Sequence, residues 1–364
     1  MSRLNQMDCL ARAGLALIAA ATVGMGSSGL SAAIVEDLYS VTVIRSAELA
    51  PGQVRRTQQD EIRFALGQLL PRVTGRLDAA LEPALADMLQ NAEAYVEQVG
   101  SLDRETLLVT FDARAIEDAL VARDQPIWGP ERPLTLLWLA IDAGQGERGI
   151  LAAGEALTDM SPEFLELQAN FRDQLTTVAE ERGLPLSLPL MDLQDMSALS
   201  YIDIVGGFTD QLGKASIRYG ADAVLSGLAR VTRSGVNVQW TLLKNGGRFA
   251  LGGSSMRDGL NRLADLYAAE FSTFGGVRTT LVTVLGVETL DDYGRVMRYL
   301  ESLSLLEAVG AEEFVDGALS VRVYARGGTP VLERVLGLNT ILTPTVVPLD
   351  QVTNDSQLTF TLAR

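Results

Sequence analysis

Residues 134–141, with the sequence LTLLWLAI, restrict the fold of this 364-residue chain more than any other segment. Every position in the run is apolar except Thr135. Successive side chains of a strand point to opposite faces of its sheet, so an uninterrupted apolar strand must be covered on both faces. We therefore predict a buried strand in a mixed sheet that packs against helices.

Turn-forming residues divide the chain into three small modules of mixed α and β structure, in the α+β or α/β class. Residues 126–133 contain Trp128, Gly129 and three prolines and mark the first boundary, and Gly275-Gly276 marks the second. We predict an N-terminal α+β domain over 34–130, an α/β domain over 133–275 and a C-terminal domain over 277–364. The elements predicted for the first domain are strands at 38–44 and 107–111 and helices at 57–73, 83–99 and 113–123.

The middle domain contains the clearest helix signal. Ser161-Pro162 is a typical N-cap and first-turn pair, and Gly183 ends the apolar periodicity that follows it. The other predicted elements of this domain are an edge strand at 184–190, a helix at 205–219, strands at 221–231 and 236–242, a turn at Asn245-Gly246, and a closing helix that ends at Gly275.

The last domain has the pattern of a ferredoxin-like βαββαβ unit. Strands are predicted at 279–287 and 358–362 and as a pair within 309–324, with helices at 290–303 and 329–337. Domains of this kind serve mainly in binding and assembly, although the fold also hosts enzymes.

Two absences limit the chemistry of the chain. It has no histidine, and its single cysteine, Cys9, lies within the first ten residues. Histidine and cysteine supply most transition-metal ligands and the usual partners of a nucleophilic serine. We therefore predict no catalytic, metal or cofactor-binding residues, and only carboxylates, Lys, Tyr or backbone amides remain for any catalysis.

The chain carries a formal net charge of −16, from 46 acidic and 30 basic residues. A strongly acidic surface repels phosphate backbones, so we predict no nucleic-acid partner.

The first 33 residues are typical of a signal peptide. Arg3 and Arg12 lie in a short n-region, and the apolar run from Ala13 to Met25 is shorter than the roughly 20 residues of a membrane span. Small residues at Ser31 and Ala33 favour cleavage after Ala33. The alternative is an uncleaved anchor in the inner membrane. Cleavage predicts a periplasmic protein with no membrane span and no cysteine.

Two glycine-rich segments resemble phosphate-binding motifs but lack their context. Residues 144–149 match GxGxxG after a strand, yet no long helix begins there, which indicates a hairpin. Residues 207–216 approximate a Walker A loop, but Ala215 occupies the position of the Mg²⁺-binding hydroxyl and the segment is predicted to be helical.

Other charged and aromatic groups favour structural roles. The local basic cluster has no single helical face and indicates a salt-bridged surface. It consists of Arg55, Arg56, Arg63, Arg72 and Arg76. Paired carboxylates occur at Asp291-Asp292, Glu312-Glu313 and Asp192 with Asp195, and the first pair is placed to cap a helix. We expect Trp128, Trp138 and Trp240 to lie in cores or interfaces rather than to form a sugar platform.

Several segments between residues 36 and 275 resemble a proteobacterial envelope family, domain of unknown function 2066. They are 72–76, 91–92, 95–96, 127–129, 132–136, 182–185, 189–192, 215–216 and 219–225. The resemblance implies export to a Gram-negative envelope without an established activity. The middle block is also similar, more loosely, to the small α/β domain of TolB-like, curli-secretion and flagellar-ring proteins.

The leading hypothesis is a non-enzymatic periplasmic accessory or assembly factor that binds an envelope protein. One alternative is a hydrolase of glycan or peptidoglycan, which needs two carboxylates about 5 to 10 Å apart across a cleft. Another is a small-ligand carrier, which needs an apolar cavity larger than about 300 Å³.

Overall fold

The computed structural model describes residues 33–45, 57–103, 105–154, 160–338, 341–345 and 357–363. The predicted signal segment through residue 32, with Cys9, and the basic residues Arg55 and Arg56 lie outside this range. The described residues form an α+β protein built from several small sheets. Among them, no helix is long and apolar enough to cross a membrane.

The N-terminal module is a three-stranded antiparallel sheet covered by one long helix. Its elements are β1 (Ala33–Ile34), β2 (Ser40–Ile44), α1 (Gln58–Thr74), α2 (Ala86–Gln90), β3 (Val96–Ser101), β4 (Thr106–Phe111), α3 (Ala113–Val121) and β5 (Glu131–Arg132). The order in the sheet is β2-β4-β3, and β1 pairs separately with β5. Thr57 and Asp60 form a capping box that starts α1, and Gly75 ends it in the left-handed conformation. Ile62, Leu66 and Leu69 then face the sheet in a core of their own.

The single helix predicted over residues 83–99 is wrong. The segment forms short 3₁₀ turns around α2 and then the strand β3, which pairs with β4. Val96 and Val99 pack at the edge of the N-terminal core. Sheet pairing with a distant strand thus overrides the local helical pattern of this segment.

The middle module contains a six-stranded mixed sheet between two helical layers. Its elements are β6 (Thr135–Gly144), β7 (Glu147–Ile150), α4 (Pro162–Arg182), β8 (Leu186–Ser187), α5 (Leu193–Ala198), α6 (Tyr201–Gly206), α7 (Thr209–Ser216), β9 (Ala223–Thr232), β10 (Gly235–Lys244), β11 (Gly247–Leu251) and α8 (Met256–Phe271). The strand order is β11-β10-β9-β6-β7, with β8 also paired to β6. The predicted buried strand is confirmed as β6.

The alternation of side chains along β6 explains its composition. Leu137, Leu139 and Ile141 face the core that α4 and α8 cover. Leu136 and Trp138 face the opposite core, which α5, α6 and α7 cover. All five side chains are fully buried.

Two predictions for the middle module need correction. The helix predicted over 205–219 is two helices, α6 and α7, because Gly207 ends α6 with a positive φ of 66°. The strand predicted over 184–190 is limited to the two residues of β8, which pair with the start of β6.

The C-terminal module keeps the predicted βαββαβ order and adds one strand. Its elements are β12 (Val277–Leu285), α9 (Leu290–Glu301), β13 (Leu306–Val315), β14 (Ala318–Arg326), α10 (Thr329–Leu336), β15 (Leu342–Pro344) and β16 (Gln357–Leu362). The order is β13-β14-β12-β16-β15. Because β15 reverses the chain once more, β16 runs parallel to β12. The core of this module is continuous with the α4 and α8 side of the middle module.

The N-terminal and middle modules meet around the buried side chain of Arg132. All five N–H groups of its guanidinium are used: Nε donates to Gly129 O at 2.7 Å, and the two Nη atoms donate to four further carbonyls at 2.8 to 2.9 Å. Arg72 and Arg182 supply two of these carbonyls, from the last turns of α1 and α4, whose dipoles favour a cation. The Trp128 ring lies 3.8 Å from the guanidinium carbon.

Further buried polar contacts join the modules. Arg182 donates to Gly75 O at 2.7 Å, and α1 ends so close to α8 that a Cβ on Gly75 would lie 2.2 Å from that of Ala268. Glu117 accepts hydrogen bonds from Tyr39 in its own module and from Arg326 in the C-terminal module, both at 2.5 Å. We call this set of contacts the junction. It fixes the three modules to one another.

Candidate functional site

The helical layer of α5, α6 and α7 covers only part of the middle sheet. Its core is built from β6 and β9, including Trp138 and Leu228. On the same face, Gln239 of β10 and Arg248 and Ala250 of β11 are exposed. The outer two strands are therefore open on this side, and we call this side the groove face.

A groove separates α7 from these open strands. It consists of a cavity of about 290 Å³ and a smaller one of about 90 Å³, which share Thr209, Leu243 and Arg248 as lining residues. Arg248 lies at the α6–α7 connection, where a Cβ on Gly207 would meet its guanidinium at 2.8 Å. Both cavities open to solvent, so the groove suits a partner that approaches from outside.

One border of the groove is the free edge of β11. This strand is the last in its sheet, and no described strand pairs with its outer side. Residue pairing with β10 places Arg248 opposite Leu243, on the groove face, and Phe249 opposite the buried Leu242, on the other face. Phe249 is 52% exposed. Half of the backbone amide and carbonyl groups of such an edge point away from the sheet.

The stretch that contains β9, β10 and the edge strand β11 has a net charge opposite in sign to that of the whole chain. Residues 223–257 contain no Asp or Glu and five basic residues, in a chain with a net charge of −16. Lys244 pairs with Glu270, and Arg257 pairs with Glu181. Arg230, Arg233 and Arg248 have neither a hydrogen bond nor an ion pair within the described residues.

The helical layer itself exposes a cluster of large apolar side chains. Seven of the exposed large hydrophobic residues fall within residues 190–217. They are Leu190, Leu193, Met196, Ile202, Val205, Phe208 and Ile217. Leu193, Ile202 and Ile217 are each more than 70% exposed, at 80%, 71% and 76%. Soluble proteins seldom concentrate exposed apolar side chains in this way unless the surface binds a partner.

A polar cluster around the buried Asp195 holds this layer in place. Asp195 is 1% exposed and accepts hydrogen bonds from the Met191 amide at 2.9 Å, from Arg218 at 3.0 Å and from the hydroxyl of Tyr219. Asp192 caps α5 and binds Arg218 through both carboxylate oxygens at 2.8 Å. The hydrogen bonds from Arg218 lower the pKa of Asp192 to about 2, and burial raises the pKa of Tyr219 to about 12. Asp192 therefore stays ionised and Tyr219 stays protonated near neutral pH, so the Asp192–Arg218 pair persists over that range.

Asp222 is a half-buried carboxylate of the groove. It lines the larger cavity, and burial raises its pKa to about 6. Its Oδ2 accepts a hydrogen bond from the Leu134 amide at 2.7 Å, which joins the starts of β6 and β9. A second carboxylate, Asp210, lines the same cavity.

The two glycine-rich motifs take the structures that favour a non-phosphate role. Residues 144–149 form the hairpin between β6 and β7. In the segment 207–216, Gly207 caps α6 and Lys214 lies within α7.

The described members of the basic cluster, and at least one carboxylate of each pair, are used in structural contacts. Arg72 donates to Ser40 O at 2.8 Å and belongs to the junction, while Arg76 binds Glu82. Asp292 forms a capping box with Thr289, as predicted for that pair. Other contacts of these groups are Arg63 with Leu89 O and Glu312 with Arg322. All three tryptophans are buried. Among the described residues, no group of three Asp, Glu, His or Cys side chains could hold a metal ion.

Sequence reasoning did not identify the groove face. The absence of acidic residues between Asp222 and Asp258 was the available signal. The sequence does not show that the helical layer leaves β10 and β11 uncovered, because this depends on where α6 and α7 end.

Comparison with known families corrects the predicted resemblance. Residues 32–129 match a domain of unknown function, DUF8605, and not domain of unknown function 2066. The match covers the N-terminal module and ends before the middle sheet. No similarity to TolB-like or curli-secretion proteins is found either. The segments that suggested both likenesses include helix ends and glycine caps, such as Gly75 and Gly183, which recur in unrelated helical proteins.

No curated protein and no solved structure matches the chain.

Proposed function

We propose that this protein is a non-enzymatic periplasmic accessory or assembly factor that binds another envelope protein through its middle module. The binding surface consists of the groove face, the free edge of β11 and the exposed apolar side chains of α5 to α7. The observation that carries the proposal is the concentration of exposed apolar residues within residues 190–217, above a fixed polar base.

Rigidity supports a binding role for this surface. Protein interfaces lose less entropy on association when the contact residues are already ordered. The Asp195 cluster orders α5 and the turn at residues 217–219, and the junction fixes the middle module against its neighbours. Exposed apolar groups and unpaired cations contribute to binding directly.

Site-specific photocrosslinking in cells tests the proposal. A photoreactive amino acid replaces Phe208, which is 48% exposed and lies in the chain between the groove-lining residues Gly207 and Thr209. We expect one discrete adduct with another protein, recovered from the periplasmic fraction. Matched controls place the same group at Leu81 in the N-terminal module and at Leu290 in the C-terminal module, both 84% exposed.

Equal adducts at all three positions, or none at Phe208, would contradict binding at the middle module. An adduct recovered from the cytoplasm would contradict the proposed location.

A further inference from the structure

The chemistry of the β11 edge specifies the partner more closely than the proposed function does. The edge belongs to a 35-residue stretch, 223–257, that has five basic residues and no acidic residue. Three of those cations, Arg230, Arg233 and Arg248, have no ion pair or hydrogen bond in the described structure. An unpaired guanidinium at an exposed position offers a carboxylate a two-point contact without first breaking an internal one.

Strand alternation shows on which face of the sheet two of these cations lie. Strand alternation places Arg230 on the same face of the sheet as Leu228, whose side chain lies in the core beneath α5 to α7. Arg248 lies on that face through its pairing with Leu243. Arg248 therefore lies on an open strand of this face, and Arg230 lies on the same face of β9.

The β11 edge differs from the edge of the C-terminal sheet that β13 forms. The edge strand β13 carries two irregularities in its register and three acidic residues, Glu307, Glu312 and Glu313. Bulges and charges are the devices by which proteins block edge pairing. By contrast, β11 pairs in regular register with β10 at all five residues and carries one charge, Arg248. The edge of β11 can therefore accept another strand.

The residues of β11 also define what that strand must carry. Side chains directly opposite each other on paired strands interact most strongly, and opposite charges there are favourable. A strand added to β11 needs acidic residues on the groove face, near Arg248, and apolar residues on the other face, near Phe249. The added strand would therefore alternate acidic and apolar residues along its length.

We infer that the free edge of β11 binds an extended acidic segment of the partner protein as an additional strand, with its carboxylates on Arg248. This inference rests on the proposed function, because it names the chemistry of the partner at the same surface. Addition of a strand to a sheet edge is an established way for proteins to recognise extended peptides.

A peptide-binding assay with the full chain tests the inference. The probe is a fluorescent ten-residue peptide that alternates glutamate with valine, and the control is the same peptide with lysine in place of glutamate. We expect the glutamate peptide to bind at least tenfold more tightly. Its affinity should fall at least tenfold in Arg248→Glu and change less than twofold in Arg114→Glu, which alters an exposed arginine of the N-terminal module.

A second probe separates strand addition from simple charge attraction without changing the protein. Methylation of alternate backbone nitrogens on the edge-facing side of the glutamate peptide removes its hydrogen bonds but keeps its charge. We expect at least a tenfold loss of affinity. Equal binding of the methylated peptide would overturn strand addition, and equal binding of the lysine peptide or of Arg248→Glu would overturn the role of Arg248.

Sedimentation of the same protein tests whether a second copy of the chain, rather than a partner protein, binds the β11 edge. A dimer in sedimentation that Arg248→Glu converts to monomer, together with no binding of the glutamate peptide, would overturn the inference in favour of self-association. A discrete crosslink at Phe208 with no peptide binding would leave the proposed function standing and reject only the acidic-strand partner.

Discussion

Arg132 and Arg248 place the same guanidinium group in opposite surroundings. Arg132 is fully buried and uses every N–H group on backbone carbonyls, whereas Arg248 is exposed and has no ion pair or hydrogen bond with the described residues. Burial lowers the pKa of Arg132, and the nearby Arg72 cation lowers it further, yet five carbonyl dipoles offset this cost. Arg132 therefore stabilises the folded structure, whereas Arg248 is available for contacts with another molecule.

This difference shows how to separate structural from functional charges in a chain with 30 basic residues. A cation with all its donors satisfied inside the protein has no capacity for a ligand. A cation without partners, on a face left open by the fold, retains that capacity. The contrast between the junction and the β11 edge can be tested by removing charges from each.

Replacement of Arg132 has the largest expected effect. Arg132→Met leaves several buried carbonyls without donors, and we expect the free energy of unfolding to fall by about 3 to 5 kcal/mol. Urea unfolding followed by tryptophan fluorescence measures the change, since Trp128 stacks on this side chain. Arg132→Lys keeps the charge with fewer donors and should give a smaller loss. A loss below about 1 kcal/mol in Arg132→Met would show that the junction does not depend on this cation.

Replacement of Glu117 has an intermediate expected effect. Glu117→Gln keeps an acceptor for Tyr39 but removes the charge that faces Arg326, and we expect a loss of about 1 to 3 kcal/mol. Asp118→Asn makes the same chemical change at the neighbouring exposed position and should be nearly neutral. Thermal unfolding of the two variants beside the wild type gives the comparison. Equal stability of both would mean that the contact between the outer modules contributes little.

Replacement of Arg248 has the smallest expected effect on stability. Arg248→Glu changes an exposed side chain that has no hydrogen bond or ion pair with the described residues, and we expect the free energy of unfolding to shift by less than about 0.5 kcal/mol. The measurement is the same urea titration used for Arg132. A loss comparable to that of Glu117→Gln would make Arg248 a structural residue and remove the contrast on which the partner inference is built.

Local signals were sufficient where they covered both ends of an element. Ser161-Pro162 and Gly183 define α4, and the predicted start and end agree with the structure. The apolar run at 134–141 likewise predicted β6, because a strand that is buried on both faces is apolar at nearly every position. The segment 83–99 was misread since its strand exists only by pairing with β4, and the Gly207 break was missed within an otherwise helical pattern.

The candidate site was less accessible to sequence reasoning. The acid-free stretch between Asp222 and Asp258 was visible, but its meaning depends on which cations remain unpaired after folding. Lys244 and Arg257 find partners at Glu270 and Glu181, on a helix 26 residues later and on one 76 residues earlier. No local pattern distinguishes these two from Arg248.

The contact between Glu117 and Arg326 has a consequence for the order in which the protein is made. The two residues are 209 positions apart, so the N-terminal module leaves the ribosome long before its buried carboxylate can meet its cation. At 5 to 20 residues per second the delay is roughly 10 to 40 s. During that interval the Glu117 carboxylate lacks the cation that pairs with it in the folded protein, so the contact between the outer modules forms only after β14 has been synthesised.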